Sequence, residues 1–84
     1  MNRQEIFQKL KAVMTPYIGD TSAFSGIHEG SDLINDLKIN SAHIVDIVLD
    51  LESEFDIMID DESINGMVTV GGSIDVVAGK MQVT

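Results

Sequence analysis

The chain has no cysteine, no tryptophan and a single proline among its 84 residues. The absence of cysteine excludes a disulfide framework, a thiolate metal site and a cysteine nucleophile. Hydrophobic residues make up 44% of the chain, but only three phenylalanines and one tyrosine are aromatic. Folding must therefore depend on one small, mainly aliphatic core, since a chain of this length holds no more than that.

Positive charge is also scarce, because five Lys and Arg residues face 14 Asp and Glu residues for a net charge of −9. This balance argues against nucleic-acid binding, which requires cations to neutralise phosphates. No Lys or Arg lies between Lys38 and Lys80, but nine acids do: Asp46, Asp50, Glu52, Glu54, Asp56, Asp60, Asp61, Glu62 and Asp75. We expect this acidic field to attract basic partner surfaces, the alternative being that it only keeps a small protein soluble.

Long apolar runs and repeats are missing as well. No apolar run is long enough for a membrane span, and the polar start from Asn2 to Glu5 is unlike a signal peptide. The sequence has neither an internal repeat nor a low-complexity tract. We therefore expect a monomer in the cytoplasm, without a membrane span.

The first segment has the periodicity of an amphipathic helix. Apolar residues recur on one face at Ile6, Leu10, Val13, Met14 and Tyr17. Asn2 and Glu5 have the spacing of a capping box, which would start the helix at once. Pro16 disturbs the last turn and Gly19 is a plausible stop, so the pattern predicts a helix over residues 3–18.

Residues 20–40 lack a sustained period and contain Gly26 and Gly30, which predicts a long loop. An ordered loop of this length needs anchors in the core. Its scattered apolar residues are the candidates: Phe24, Ile27, Leu33, Ile34 and Leu37.

A second amphipathic helix is predicted after Ser41, which occupies the expected N-cap position. Its apolar stripe consists of Ile44, Ile47, Val48, Leu51 and Phe55. Its opposite side carries His43, Asp46, Asp50 and Glu54, with Leu49 as the one large apolar residue between them. β-branched residues make a strand the competing prediction for residues 44–49, but the four-residue spacing of the acids favours the helix.

The remainder of the chain predicts a short helical turn and a last helix. After an extended segment that buries Ile57 or Ile59, Asp60 or Asp61 would cap a turn over residues 62–65, and Gly66 would end it. Thr69 would cap the last helix, whose apolar face consists of Val70, Ile74, Val77 and Met81.

Two glycines, Gly71 and Gly72, lie in the first turn of that last helix, where each costs about 1 kcal/mol relative to alanine. Short amphipathic helices of this kind cannot stand alone and must pack together. We therefore predict an all-α fold. It would be a small antiparallel bundle of three principal helices and one short helix, with a long loop between the first two.

The segment 36–42 reads Asp-Leu-Lys-Ile-Asn-Ser-Ala, and the acidic helix after it ends Leu-Glu-Ser-Glu-Phe at 51–55. This combination resembles the acyl carrier proteins, whose motif is Asp-Leu-Gly-x-Asp-Ser-Leu before a helix ending Leu-Glu-x-x-Phe. Similar residues also fall at the family's positions elsewhere: Leu33, Ile59, Asp61, Thr69, Val70, Ile74 and Asp75. The motifs cover residues 32–78, and the first helix matches by architecture only.

The resemblance implies one phosphopantetheine-binding domain over residues 1–84 and a non-catalytic carrier that serves partner enzymes. A phosphopantetheinyl transferase would attach 4′-phosphopantetheine to Ser41, and the thiol of the arm would hold an acyl group as a thioester. The exposed start of a helix suits a phosphodiester electrostatically. The alternative role for Ser41 is a helix cap only.

The resemblance also implies a docking surface and an acyl pocket. Acyl-loading and acyl-processing enzymes with basic patches would bind the second helix through His43, Asp46, Leu49, Asp50, Glu52 and Glu54. The alternative is a solvated charged face. The helices would part to admit an acyl chain beside Phe55, Ile59, Met67 and Ile74, which would otherwise be ordinary core residues.

Three departures from the motif bear on the function. Lys38 stands at the family's glycine, Asn40 at its aspartate and Ala42 at its leucine. They favour a carrier in a specialised fatty-acid, lipid or secondary-metabolite pathway. They also leave open an unmodified, carrier-like helical module that acts as a docking or regulatory subunit.

The sequence predicts neither an enzyme nor a metal site. His28 and His43 are the only histidines, and His43 lies two residues from Ser41 on a helix, so the two side chains diverge and form no triad. The acids at 60–62 lack the alternating ligands and the central glycine of a calcium loop.

Overall fold

The regular structure of residues 2–19 and 26–81, the residues that this computed structural model describes, includes four α-helices and two complete 3₁₀ turns. The α-helices are α1 (Arg3–Met14), α2 (Ile44–Phe55), α3 (Asp61–Ile64) and α4 (Val70–Met81), and the 3₁₀ turns are Thr15–Tyr17 and Ser41–His43. The predicted all-α bundle of three principal helices and one short helix is confirmed. Within the described ranges, no helix has the length and apolar character that a membrane crossing requires.

The first helix begins with the predicted capping box. The Asn2 side chain accepts a hydrogen bond from the Glu5 amide at 2.8 Å, and the Glu5 carboxylate accepts one from the Asn2 amide at 3.4 Å. The helix ends at Met14 rather than at residue 18. Pro16 has no N–H to continue the α-helical ladder, so the chain tightens into a 3₁₀ turn instead.

The core lies where α1, α2 and α4 meet. Its side chains are at least nine-tenths buried: Ile6, Leu10, Met14, Ile18, Leu33, Leu37, Ile39, Ile47, Val48, Leu51, Phe55, Ile59, Met67, Val70, Ile74 and Val77. The predicted apolar stripes supply most of this set. Val13, Tyr17 and Ile44 only pack against its edge, and Met81 at the end of α4 is exposed.

The long loop is anchored as predicted by Leu33 and Leu37, and Ile39 adds a third buried side chain. Ile34 is exposed, contrary to the prediction, because its amide belongs to a tight turn closed by the carboxylate of Asp32. Ile27 is half-buried, and Phe24 lies outside the described residues.

A short antiparallel bridge ties this loop to the segment before α4. The Leu33 amide donates to the Val68 carbonyl, and the Val70 amide donates to the Ser31 carbonyl, both at 3.0 Å. The loop therefore has backbone as well as side-chain anchors, which a segment of irregular structure needs because its polar backbone groups must be satisfied.

The connection from α2 to α3 turns sharply at Asp56, whose φ of 54° is left-handed. The Ile57 amide then donates to the Glu52 carbonyl at 3.1 Å, which closes the end of α2. Ile59 is the buried member of the extended segment, and Asp60 occupies the N-cap position of α3. The structure thus selects Ile59 over Ile57 as the buried residue and Asp60 over Asp61 as the N-cap residue.

The last helix begins at the predicted cap, since the Thr69 hydroxyl accepts a hydrogen bond from the Gly72 amide at 3.0 Å. The glycines of its first turn permit close backbone contacts. A Cβ atom on Gly72 would lie 2.4 Å from the Gly66 carbonyl oxygen, and one on Gly71 would lie 2.9 Å from the Glu29 carbonyl oxygen. Tertiary packing therefore outweighs helix propensity at these two positions.

Substitution of alanine at two glycines of α4 tests this conclusion. We expect Gly72→Ala to lower the free energy of unfolding by about 1–3 kcal/mol, because the methyl group would overlap a neighbouring backbone atom. Gly79→Ala is the matched control, since open space surrounds its position. It should raise stability by about 0.5–1 kcal/mol through propensity. Urea unfolding measures both, and a stabilised Gly72→Ala variant would contradict the packing argument.

Candidate functional site

Ser41 is the first residue of the 3₁₀ turn that leads into α2, and its side chain is exposed. The prediction that Ser41 caps the helix is wrong, because the cap is Asn40. Asn40 has extended backbone angles, and its side-chain oxygen accepts a hydrogen bond from the Ala42 amide at 2.9 Å. An Asx residue readily bonds the amide two positions on, so Ser41 is not needed as the cap.

The start of this helical segment bears on how a phosphodiester would be held. Its positive end favours an anion, and the exposed Ser41 side chain lies at that end. The amides of Ala42 and His43 already donate to the side chain and the carbonyl of Asn40. The residues fit a phosphopantetheine group attached to Ser41, but these two amides would not bind its phosphate unless Asn40 moved.

The segment before Ser41 is held by alternate buried residues. Leu37 and Ile39 are buried. Lys38, which lies between them, and Asn40, which follows them, are exposed. The Ile39 amide donates to the Leu33 carbonyl at 3.0 Å, which fixes the approach to Ser41.

Lys38 has left-handed backbone angles, with a φ of 56°. Its carbonyl comes so close to Gly19 that a Cβ atom there would lie 2.4 Å from the carbonyl oxygen. The Gly19 amide donates to the Leu37 carbonyl at 3.1 Å. The approach to Ser41 is thus anchored on the segment that follows the first helix.

The outer face of α2 presents two apolar side chains. Leu49 is 57% exposed, as the predicted docking contact should be, and Val45 one turn earlier is 58% exposed. The sequence analysis missed Val45, although its spacing of four residues from Leu49 indicated a shared face. Asp46 is exposed beside them in the first turn of α2.

Two predicted docking residues, His43 and Asp50, contact Tyr17 in the 3₁₀ turn that follows α1. The Tyr17 hydroxyl donates to the Asp50 carboxylate at 3.0 Å, and this hydrogen bond raises the pKa of Tyr17 by stabilising its neutral form. The His43 ring lies against the Tyr17 ring, with 5.4 Å between the centroids. Asp50 and His43 therefore also join α2 to the turn that ends α1.

Two further acids of α2 also have partners within the protein. Glu52 is half-buried, and its carboxylate accepts a hydrogen bond from the Ile59 amide at 2.7 Å. Glu54 forms an ion pair of 3.1 Å with Lys9 of α1. Among the described residues, Asp46 has neither an ion pair nor a side-chain hydrogen bond. Of the predicted docking acids, Asp46 is thus the one whose charge is available without loss of such a contact.

The four predicted acyl-pocket residues all belong to the buried core: Phe55, Ile59, Met67 and Ile74. An open surface groove lies elsewhere, between α1 and the end of α2, and shares none of them. It is lined by Gln8, Lys9, Ala12, Val13 and Glu54. The acyl-lining role stays a prediction that requires the helices to part.

No protein-family model matches the chain. The acyl carrier protein of Thermotoga maritima is 35% identical over 80 residues, which covers 95% of this chain and 96% of the relative. The acyl carrier protein of Picosynechococcus is 36% identical over 77 residues, with 92% and 93% covered. A solved structure, the thermally stable acyl carrier protein of Enterococcus faecalis, has a TM-score of 0.76 at 26% identity and covers 95% of this chain and 99% of its own. The chain therefore belongs to the acyl carrier protein family.

Proposed function

We propose that the chain carries acyl intermediates as thioesters on a 4′-phosphopantetheine arm attached to Ser41. Membership of the acyl carrier protein family supports the carrier role. The observation that supports Ser41 as the attachment residue is its exposed position at the start of α2, where Asn40 rather than Ser41 serves as the cap. The Ser41 hydroxyl therefore does not cap the helix, and its modification would not remove a cap.

The attachment reaction would use coenzyme A and a phosphopantetheinyl transferase. The Ser41 oxygen would form a new bond to phosphorus and lose its proton, and adenosine bisphosphate would leave. The chain itself would take no catalytic part, and residues 1–84 would act as one carrier domain in the cytoplasm. Lys38 and Asn40 near the serine, with Ala42 after it, favour a specialised fatty-acid, lipid or secondary-metabolite pathway over general fatty-acid synthesis.

Partner enzymes would dock on the outer face of α2. We propose Val45 and Leu49 as the apolar contacts and Asp46 as the charge that meets a partner's basic patch. Asp50, Glu52 and Glu54 would add to the negative field, although each also holds a contact within the fold. The field would raise the rate of encounter with a basic surface.

The second candidate function is an unmodified module that only docks to partners. The specific observation in its favour is that the amides of Ala42 and His43, beside Ser41, already donate to the side chain and the carbonyl of Asn40.

Mass spectrometry after incubation with coenzyme A and a phosphopantetheinyl transferase separates the two functions. We expect one arm per chain in the native protein and none in Ser41→Ala. Ser53→Ala is the matched control, because Ser53 is an exposed serine at a variable position of the Leu-Glu-x-x-Phe end of α2, and this variant should be modified fully. No mass gain with several transferases, including one from the source organism, would favour the unmodified module.

Charge reversal tests the docking surface. Asp46→Lys should lower the association rate constant with the transferase several-fold, about 2–10 times, because the encounter is steered electrostatically. Raised salt should reduce the difference between variant and native protein. The rate is measured by stopped-flow kinetics.

Asp61→Lys is the control for net charge, since Asp61 is an exposed acid on a different helix, α3. Equal effects of the two reversals would show that overall charge acts, and that the face of α2 does not.

A further inference from the structure

Lys38 is an isolated cation near the proposed attachment residue. It is the only Lys or Arg between Lys11 and Lys80, and it lies three residues before Ser41. Together with Asn40, it makes this segment more positive by two charges than the motif with glycine and aspartate at these positions. The site therefore departs in charge from the acidic surface beside it.

The backbone at Lys38 is one that a lysine adopts at a cost. Its φ of 56° lies in the left-handed region, where a Cβ atom is unfavourable and glycine is not penalised. An unfavourable backbone that persists in a fold is a reason to ask what the side chain does. The Lys38 side chain is exposed, so it contributes nothing to the core.

Three of the other four Lys and Arg residues form ion pairs among the described residues, and Lys11 does not. Arg3 pairs with Glu29 and Asp75, Lys9 pairs with Glu54, and Lys80 pairs with Asp60.

Within the described ranges, Lys38 has no ion pair. The acid nearest to it in sequence, Asp36, is committed elsewhere, since its carboxylate accepts a hydrogen bond from the Asp32 amide at 2.8 Å. Since no acid of residues 2–19 and 26–81 forms an ion pair with it, the Lys38 ammonium group can bind an anion added to this part of the chain.

The proposed arm would supply such an anion. We propose that Lys38 pairs with the phosphodiester group on Ser41 and is a positioning residue for the first part of the arm; this inference rests on the proposed function. Three residues span at most about 11 Å, and the flexible four-carbon stem of lysine shortens the remaining distance. Because the amides of Ala42 and His43 already donate to the side chain and the carbonyl of Asn40, these two amides do not compete with Lys38 for the phosphate.

The location of the Lys38 stem indicates how the arm would be directed. Its Cβ atom lies 3.3 Å from the position that a Cβ atom on Gly19 would take, so the stem leaves the backbone beside the segment that follows α1. An ion pair there would hold the phosphate toward Lys38 and away from the acidic face of α2. The pair would be exposed, and its effect would be modest and sensitive to salt.

The test compares each variant with and without its arm, so that the backbone cost at position 38 cancels. Mass spectrometry first establishes that Ser41 is modified. At low salt, each protein's Tm is measured with and without the arm. The change in Tm on attachment should be about 2–5 °C more positive for the native protein than for Lys38→Gln. Lys38→Arg should behave as the native protein, and Lys11→Gln, which removes an equal charge elsewhere, should do so too.

Phosphorus NMR supplies a second readout. The phosphodiester resonance should shift with salt in the native protein and in Lys11→Gln, but little in Lys38→Gln.

Equal Tm changes in native protein and Lys38→Gln, on a fully modified Ser41, would overturn this inference and leave the proposed function intact. If Lys38→Gln were in addition modified more slowly, Lys38 would be assigned to a carboxylate of the transferase. Failure of Ser41 to accept an arm from any transferase would overturn the proposed function together with this inference.

Discussion

The burial of Leu37 and Ile39 is the constraint on which the candidate site depends. These two side chains enter the core from a segment of irregular structure in which buried and exposed residues alternate. Each is followed by an exposed residue, Lys38 after Leu37 and Asn40 after Ile39. With Ile39 held in place, Asn40 takes the extended conformation of a cap, and the 3₁₀ turn that leads into α2 starts after it. The exposed position of Ser41 is thus a consequence of how the loop is anchored, more than of any property of serine itself.

The acids of α2 have two roles: some form contacts within the described part of the protein, and one is free to contact a partner. Asp50, Glu52 and Glu54 hold contacts with Tyr17, the Ile59 amide and Lys9, so they help to join α2 to its neighbours. Asp46 has no such contact among the described residues and lies beside the exposed apolar pair Val45 and Leu49. The number of acids on α2 therefore overstates the charge that is free to contact a partner. The negative field of the whole face would steer the encounter with a partner, but its acids would not make equivalent contacts.

The proposed carrier role requires two things: a firm attachment point and an interior whose side chains can repack. The segment before Ser41 meets the first condition through backbone hydrogen bonds at Leu37, Ile39 and Asn40. The core meets the second, since aliphatic and methionine side chains can adjust their packing more easily than large aromatic ones. The candidate acyl-lining residues are closed within that core, so admission of a chain would have to be coupled to separation of the helices.

The sequence by itself determined what depends on neighbours a few residues apart: the capping box of Asn2 and Glu5, the apolar stripes of the helices, the Thr69 cap and the serine motif. Contacts between distant segments were decided only by the tertiary structure. These include the bridge between Asp32 and Thr69, the approach of Lys38 to Gly19 and the hydrogen bond from Tyr17 to Asp50. The choice of Asn40 over Ser41 as cap is a local contact, but it depends on the extended backbone angles of Asn40, which residue spacing alone does not specify. Periodicity specifies which face of a helix is apolar, but it does not specify which polar groups meet when the faces pack.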